Sequence, residues 1–269
     1  MAQRRGNPPP GETADALFDG RLLLRQPRSG YRFSADAPLL VWFVCRKAPR
    51  RAQWAVDLGA GCGVVGLGLL MADAAEQVVA VETQARLAAL CTENAVANGL
   101  ADRFCVVNDD MRSLPPALAR RRFDLVVTNP PFWPADSGNL PEDDERRIAC
   151  HEVSIDIDGW IGVAAGLLER RRGRLCAVFP ARRTAELLAG LARRGLGATT
   201  VLAVHPTPEA GAELVLVEAR HGVTRPTAVE PPLFLRERCS RDSEAARAVF
   251  SGEFSAALAK RRDRRGSAT

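Results

Sequence analysis

Lysine is almost missing from this chain of 269 residues: Lys47 and Lys260 are the only two, against a large excess of arginine. That bias points to genome base composition rather than selection for phosphate contacts. Histidine is scarce too, and His151, His205 and His221 stand apart from one another and from any cysteine cluster, so no zinc-ligand spacing is present and no metal is expected. Cys45, Cys62, Cys91, Cys105, Cys150, Cys176 and Cys239 are odd in number and form no Cys-x-x-Cys pair. This argues against a closed disulfide framework and reads them as small buried hydrophobes. No apolar run approaches the roughly 20 residues of a membrane span, and the opening MAQRRGNPPPGE lacks the apolar segment of a signal peptide. A cytoplasmic protein without membrane contact is the expectation, and nothing in the chain signals an oligomeric state.

What is present is an ordinary globular composition, 46% hydrophobic and 26% charged, which leaves neither wholesale disorder nor a coiled coil to consider. Of the formal net charge of +5, Arg4 and Arg5 supply +2 and the stretch Lys260 to Arg265 supplies +4, which leaves the body near −1. A partner nucleic acid would therefore meet basic tails or local patches, such as Arg146 with Arg147 or Arg170 to Arg172 with Arg174. Residues 1–12 read as a disordered basic head, 13–235 as one domain with a helical lead-in before its first sheet strand, and 236–269 as a separate segment ending in a disordered basic tail.

From Trp54 onward, short β-branched runs alternate with longer helical stretches. Strands are expected at 54–58, 78–82, 103–107, 123–128, 174–179, 198–204 and 213–219, with helices at 63–72, 84–98, 113–119, 156–170 and 181–194. The alternation predicts an α/β fold with a parallel sheet. Only a turn-rich segment separates the last two strands, too short for a parallel crossover, so that final pair is expected to be antiparallel. A seven-stranded, mostly parallel sheet with one reversed strand is the Rossmann-like architecture of the class I methyltransferases.

The stretch VDLGAGCGVVG runs from the first of these strands into a helix. Gly59, Gly61 and Gly63 allow a tight turn and close backbone approach to a ligand, just beyond the carboxyl end of a strand. Because Gly61 to Gly66 also satisfies Gly-x-Gly-x-x-Gly, the glycines alone do not separate a nicotinamide cofactor from S-adenosylmethionine. Asp57 favours the latter, since a pyrophosphate-binding loop has little use for a fixed negative charge there, whereas the Glu82 role is shared by both cofactor classes. Asp57 is placed to orient the loop or to meet an ammonium group, Glu82 to accept from ribose hydroxyls, and Asp109, Asp110 and Met111 to meet an adenine.

After the fourth strand comes Asn129-Pro130-Pro131-Phe132-Trp133. A planar, conjugated amine is a poor nucleophile because its lone pair is delocalised. The Asn129 side-chain oxygen and the Pro130 carbonyl can accept its two N–H bonds, while Phe132 stacks on the ring and the prolines stiffen the loop. Trp133 has no assigned role. Such a site needs no metal and no strong base.

These residues resemble the amino-methyltransferases that carry an (Asn/Asp/Ser)-Pro-Pro-aromatic motif, whose members modify adenine, guanine or glutamine. More specifically, SGYRFSADAPLLVWF, DLGAGCGVVGL, FDLVVTNPPFW, the Ala149-Cys150-His151-Glu152 segment and HPTPEAGAELVLVEARHG occur in the order found in the bacterial tRNA1(Val) adenine-N6-methyltransferase family. The resemblance spans roughly residues 20–235. It implies S-adenosylmethionine as cofactor, held by Asp57, Gly59, Gly61, Glu82 and Asp110, and an RNA substrate, a tRNA anticodon-loop adenine, met by Asn129, Pro130 and Phe132. The chain departs from the family where Cys150 replaces an arginine and where the family's tyrosine-bearing ending is absent. Guanine-N2 or protein glutamine-N5 transfer remains the alternative chemistry. A nicotinamide dehydrogenase and a non-catalytic RNA-binding protein are the rivals from other classes.

Overall fold

The computed structural model describes residues 8–29, 32–46, 50–130, 156–238 and 241–254. It opens with an antiparallel hairpin, β1 (Glu12–Leu17) and β2 (Leu22–Pro27), for which no element was expected, ahead of the helical lead-in that was expected before the first sheet strand. The connection turns at Phe18, Asp19 and Gly20, all at positive φ. Helix α1 (Asp36–Arg46) follows.

The main body alternates strand and helix: β3 (Ala52–Leu58), α2 (Val64–Met71), β4 (Ala75–Glu82), α3 (Ala85–Ala97), β5 (Phe104–Asn108), α4 (Pro116–Ala119) and β6 (Leu125–Thr128). It continues through α5 (Ile157–Leu167), β7 (Arg174–Pro180), α6 (Thr184–Arg193), β8 (Leu196–His205) and β9 (Leu214–His221). All seven expected sheet strands form. Among the described residues the sheet has nine strands, however, because the two-residue strands β10 (Ala228–Val229) and β11 (Leu233–Phe234) both pair in parallel with the outer edge of β8. Counted from that edge the order is β8, β9, β7, β6, β3, β4, β5, and only β9 runs against its neighbours. The expected antiparallel final pair is therefore present, its reversed member inserted between β7 and β8. The extra strands are too short to carry a recognisable alternation in sequence.

Successive residues of the central strands feed opposite cores, as the period of two requires. Ala55, Val78, Leu125 and Cys176 pack with the hairpin, α1, α2 and α3, whereas Val56, Val79, Val126 and Leu175 pack with α5 and α6. On the second face Trp160, Ile161, Ala164 and Leu167 of α5 are buried, each large side chain contributing about 1.5–3 kcal/mol. Helix α2 is apolar all round because it lies between α1, the hairpin and the sheet. A Cβ on its Gly66 would come within 2.8 Å of Phe104 Cε2, so glycine lets this helix sit directly on the strands.

The hairpin is fastened from outside the sheet. The buried Asn94 on α3 accepts from Arg25 N (2.8 Å) and donates to Arg25 O (2.9 Å) and Cys62 O (2.9 Å), and Asn98, one turn on, pairs with Leu23 N and O. Two amide side chains thus act as a partner strand for the edge of β2. A last helix, α7 (Glu244–Ser251), is capped by Ser243 and packs on α1, and its Val249 joins the core of the first face. Arg21 in the hairpin turn donates to the Ser251 and Gly252 carbonyls, so through Phe254 the C-terminal segment belongs to the same folded body.

Among the described residues no helix is long and apolar enough to cross a membrane, and no acid, histidine and cysteine cluster could hold a metal ion. Cys45, Cys62, Cys91 and Cys176 are buried, as expected of small hydrophobes, with burial pushing the Cys62 and Cys176 thiols up to about 12. Cys105, on edge strand β5, is exposed instead.

Candidate active site

The carboxyl ends of β4, β3 and β6 lie side by side. Leu58 is in register with Val81 on one side and with Thr128 on the other, and the buried Thr128 hydroxyl donates to Leu58 O at 2.9 Å. Gly59 and Asn129 therefore leave the sheet as neighbours, although 70 residues separate them in the chain. This brings the glycine turn and the Asn-Pro segment into one place.

Gly59, Gly61 and Gly63 all have positive φ, and Gly63 begins α2 at φ 92°. A Cβ there would stand 2.8 Å from Cys91 Sγ, so both conformation and space require glycine. The turn is held by the acids that flank it. Gly59 N and Ala60 N donate to Val81 O, Gly61 N donates to Glu82 Oε2 at 2.8 Å, and Gln84 N donates to Glu82 Oε1 at 2.9 Å. Asp57, 1% exposed, accepts from Gly66 N at 2.9 Å in the first turn of α2. Of the two functions expected of Asp57, orienting the loop is the contact it makes in this structure.

Burial raises the Asp57 carboxyl to about 7, with the Glu82 charge adding to the rise and the Gly66 hydrogen bond opposing it. Burial likewise pushes Glu82 above the usual carboxylate range, against the hydrogen bonds from Gln84 and Gly61. Each Glu82 oxygen takes one backbone bond, and a carboxylate oxygen has room for another.

At the end of β5, Asn108 donates to Glu82 O and Thr83 O and so ties this strand end to that of β4. Asp109 accepts from Asp110 N at 2.8 Å. Asp110 caps the 3₁₀ turn Met111–Ser113 and is gripped by the Arg112 guanidinium, whose hydrogen bond holds the carboxyl below its ordinary value. Asp110, expected to meet an adenine together with Asp109, is in this structure a turn cap paired to its own neighbour. Met111 turns back over the glycine loop, its Cε 3.8 Å from where a Cβ on Gly59 would lie.

Asn129 and Pro130 are both buried. Asn129 Nδ2 donates to Asp36 Oδ2 at 3.0 Å, while Asp36 Oδ1 accepts from Ser34 Oγ at 2.6 Å and from Ala37 N at 3.0 Å. A carboxylate only accepts, so the amide must turn its NH₂ towards Asp36. Its oxygen is then aimed the other way, and Asn129 Oδ1 is buried with no hydrogen-bond partner among the described residues. A buried carbonyl left unpaired costs about 1–3 kcal/mol, and orphans of this kind cluster at functional sites. Asp36 had no role in the sequence reading, although it is the Asp of the FSADAPLL stretch. Pro131, Phe132, Trp133, Arg146, Arg147, Cys150 and His151 lie outside the described residues. Arg170 to Arg172 and Arg174 lie at the amino end of β7, the opposite edge of the sheet from Asn129.

The methyltransferase small domain family matches residues 38–140. A tRNA1(Val) (adenine(37)-N6)-methyltransferase of Porphyromonas gingivalis strain W83 is 30% identical over 192 residues, covering 70% of this chain and 74% of the relative. A release factor glutamine methyltransferase of Bordetella pertussis is 32% identical over a shorter stretch, 48% of this chain and 47% of its own. Among solved structures, a predicted O-methyltransferase of Agrobacterium tumefaciens superposes with a TM-score of 0.61 at 23% identity, covering 82% of this chain and 97% of its own, and supports the class I fold. The chain is an S-adenosylmethionine-dependent N-methyltransferase, and it belongs to the tRNA1(Val) (adenine(37)-N6)-methyltransferase family.

Proposed function

We propose that this enzyme methylates the exocyclic N6 amine of an anticodon-loop adenine in a tRNA, with Asn129 and Pro130 as the residues that receive the amine. The observation that carries the reading is the buried Asn129 Oδ1, without a partner among the described residues and held in one orientation by Asp36. An amine with two N–H bonds complements the oxygens that Asn129 and Pro130 offer. Asn129 Oδ1 takes one N–H and the Pro130 carbonyl the other. As the lone pair is drawn out of conjugation, both hydrogen bonds strengthen, so they favour the transition state over the ground state. The proton lost after the C–N bond forms passes to water.

The cofactor supplies an electrophilic methyl group on a sulfonium sulfur. The residues at the three strand ends fit it: Gly59, Gly61 and Gly63 leave backbone where a side chain would intrude, Glu82 retains acceptor capacity for the ribose diol, and Asp109 with Met111 stands where an adenine edge would be read. Asp57 and Asp110 shape the loop and turn that carry these groups. Phe132 is the stacking residue for the target base, a mode suited to a splayed loop nucleotide. Arg182, exposed just beyond the carboxyl end of β7, is on the correct edge of the sheet to meet an RNA phosphate.

The test is to incubate the full chain with labelled S-adenosylmethionine and unmodified total tRNA, then digest and map the label. Label in N6-methyladenosine from the anticodon loop of a valine tRNA is the expected result. Label in a guanosine or in a protein glutamine would replace this substrate with one of the related amines.

A further inference from the structure

At the edge of the sheet away from the active site, a cleft of about 290 Å³ opens between the amino ends of β3, β6 and β7. Four guanidinium groups line it, those of Arg50, Arg172, Arg174 and Arg220, with Asp124 as the one acid in the wall. Asp124 is already engaged: its Oδ2 accepts from Gln53 N at 2.9 Å and Trp54 N at 3.2 Å, and its Oδ1 lies 3.5 Å from Arg50.

Arg174 is the floor. Its side chain is only 8% exposed, and Nε and Nη2 both reach Glu218 Oε2 at 2.9 Å, with Nη2 also donating to Val44 O at 3.3 Å. Its Nη1 has no partner among the described residues. Arg220 donates through Nε to the other Glu218 oxygen at 2.9 Å, and among the described residues neither its two terminal nitrogens nor the Arg172 guanidinium has a partner. Glu218 and Asp124 together balance two of the four cations. Holding the other two close together, one against a buried neighbour, is unfavourable unless an anion joins them.

We propose that this cleft is a binding site for a phosphate-bearing anion of about two negative charges, gripped by the forked donors of Arg172, Arg174 and Arg220 with Arg50 at the rim. The seven residues of β3, at about 3.3 Å each, separate the cleft from the Asn129 loop by roughly 20 Å. An RNA presenting its base at Asn129 would have to turn round the sheet to reach it, which favours a free small anion. A phosphodiester of RNA is the other source of the same chemistry.

Calorimetric titration of the full chain with pyrophosphate, and separately with a short single-stranded RNA, tests the site. The double variant Arg50→Gln/Arg172→Gln removes two exposed arms, at the cost of the long 3.5 Å contact between Arg50 and Asp124, and its melting temperature and S-adenosylmethionine affinity are measured alongside. Pyrophosphate should bind the wild type and bind the double variant at least tenfold more weakly, with both controls unchanged. If the RNA loses affinity in parallel and competes with pyrophosphate, the anion is an RNA phosphate; if its affinity is unaffected, the anion is a free one, and either result upholds the site. Absence of pyrophosphate binding to the wild type, or equal binding to both proteins, overturns it.

Discussion

The two edges of this sheet are chemical opposites, although the same parallel strands build both. At the carboxyl ends lie Glu82, Asn108, Asp109 and Asn129, acceptors arranged round a glycine turn. At the amino ends lie Arg50 and Arg51, Arg120 to Arg122, and Arg170 to Arg172 with Arg174. A parallel sheet makes this segregation possible because it sends every strand end of one kind to one side. The near-neutral body charge inferred from composition hides the division: the sum is small because the edges differ. What separates a catalytic edge from a merely polar one is the state of its partners. Arg112 and Asp110 neutralise each other, and Asp57 and Glu82 accept from loop amides, whereas the Asn129 oxygen has no partner among the described residues.

The contrast can be broken at the acceptor edge first. Asp36→Ala leaves the Asn129 amide free to rotate, and kcat should fall by up to about 10²-fold with little change in donor affinity, the loss expected when a reacting group is misaligned. Asp36→Asn should recover part of the rate, because its carbonyl can still accept from Asn129 Nδ2. Steady-state kinetics of the pair separates positioning from collapse of the fold, since a purely structural defect would lower donor affinity and kcat together.

Asn94→Ala removes the amide that joins the hairpin to the glycine loop, leaving Arg25 and Cys62 backbone groups unpaired. A loss of about 2 kcal/mol is expected, measured by denaturant unfolding, with weaker donor binding because Cys62 lies in the loop itself.

Asp57 sharpens the comparison through pH. Burial raises its carboxyl from 3.8 to about 7, so between those values the folded chain holds a proton that the unfolded chain has lost. Wild-type stability should therefore carry a component that falls as pH rises from about 4 to about 7 and is level above that range. Asp57→Asn keeps an acceptor for Gly66 N and should abolish that component, which a series of melting curves across this range would reveal. At the arginine edge the smallest effect is expected: Arg50→Gln/Arg172→Gln should leave kcat for methyl transfer unchanged, as assayed at saturating tRNA.

Most of the framework was legible because parallel strands buried on both faces leave a strong signal, as in WAVDL, VVAVE and FDLVVT. The three positive-φ glycines were legible for a related reason, since their spacing has few other uses. The hairpin was missed because LLLRQP has little alternation and its strongest cue is only Asp19-Gly20, a dipeptide that commonly turns β-hairpins. Asp36 was missed because its partner lies 93 residues away and the contact depends on a tertiary fold. Arg170 to Arg172 with Arg174 were legible as a cluster of positive charge, but composition carries no information on which edge of a sheet it occupies or on the burial of Arg174 against Glu218.

The central claim is that Asn129 Oδ1 receives the substrate amine. Single-turnover methyl transfer by Asn129→Ala, with saturating S-adenosylmethionine and unmodified tRNA, tests it most directly. A rate lower by about 10² to 10³, at unchanged donor affinity, is predicted from the loss of one preorganised polar group at a reacting centre. A rate close to that of the wild type would contradict it.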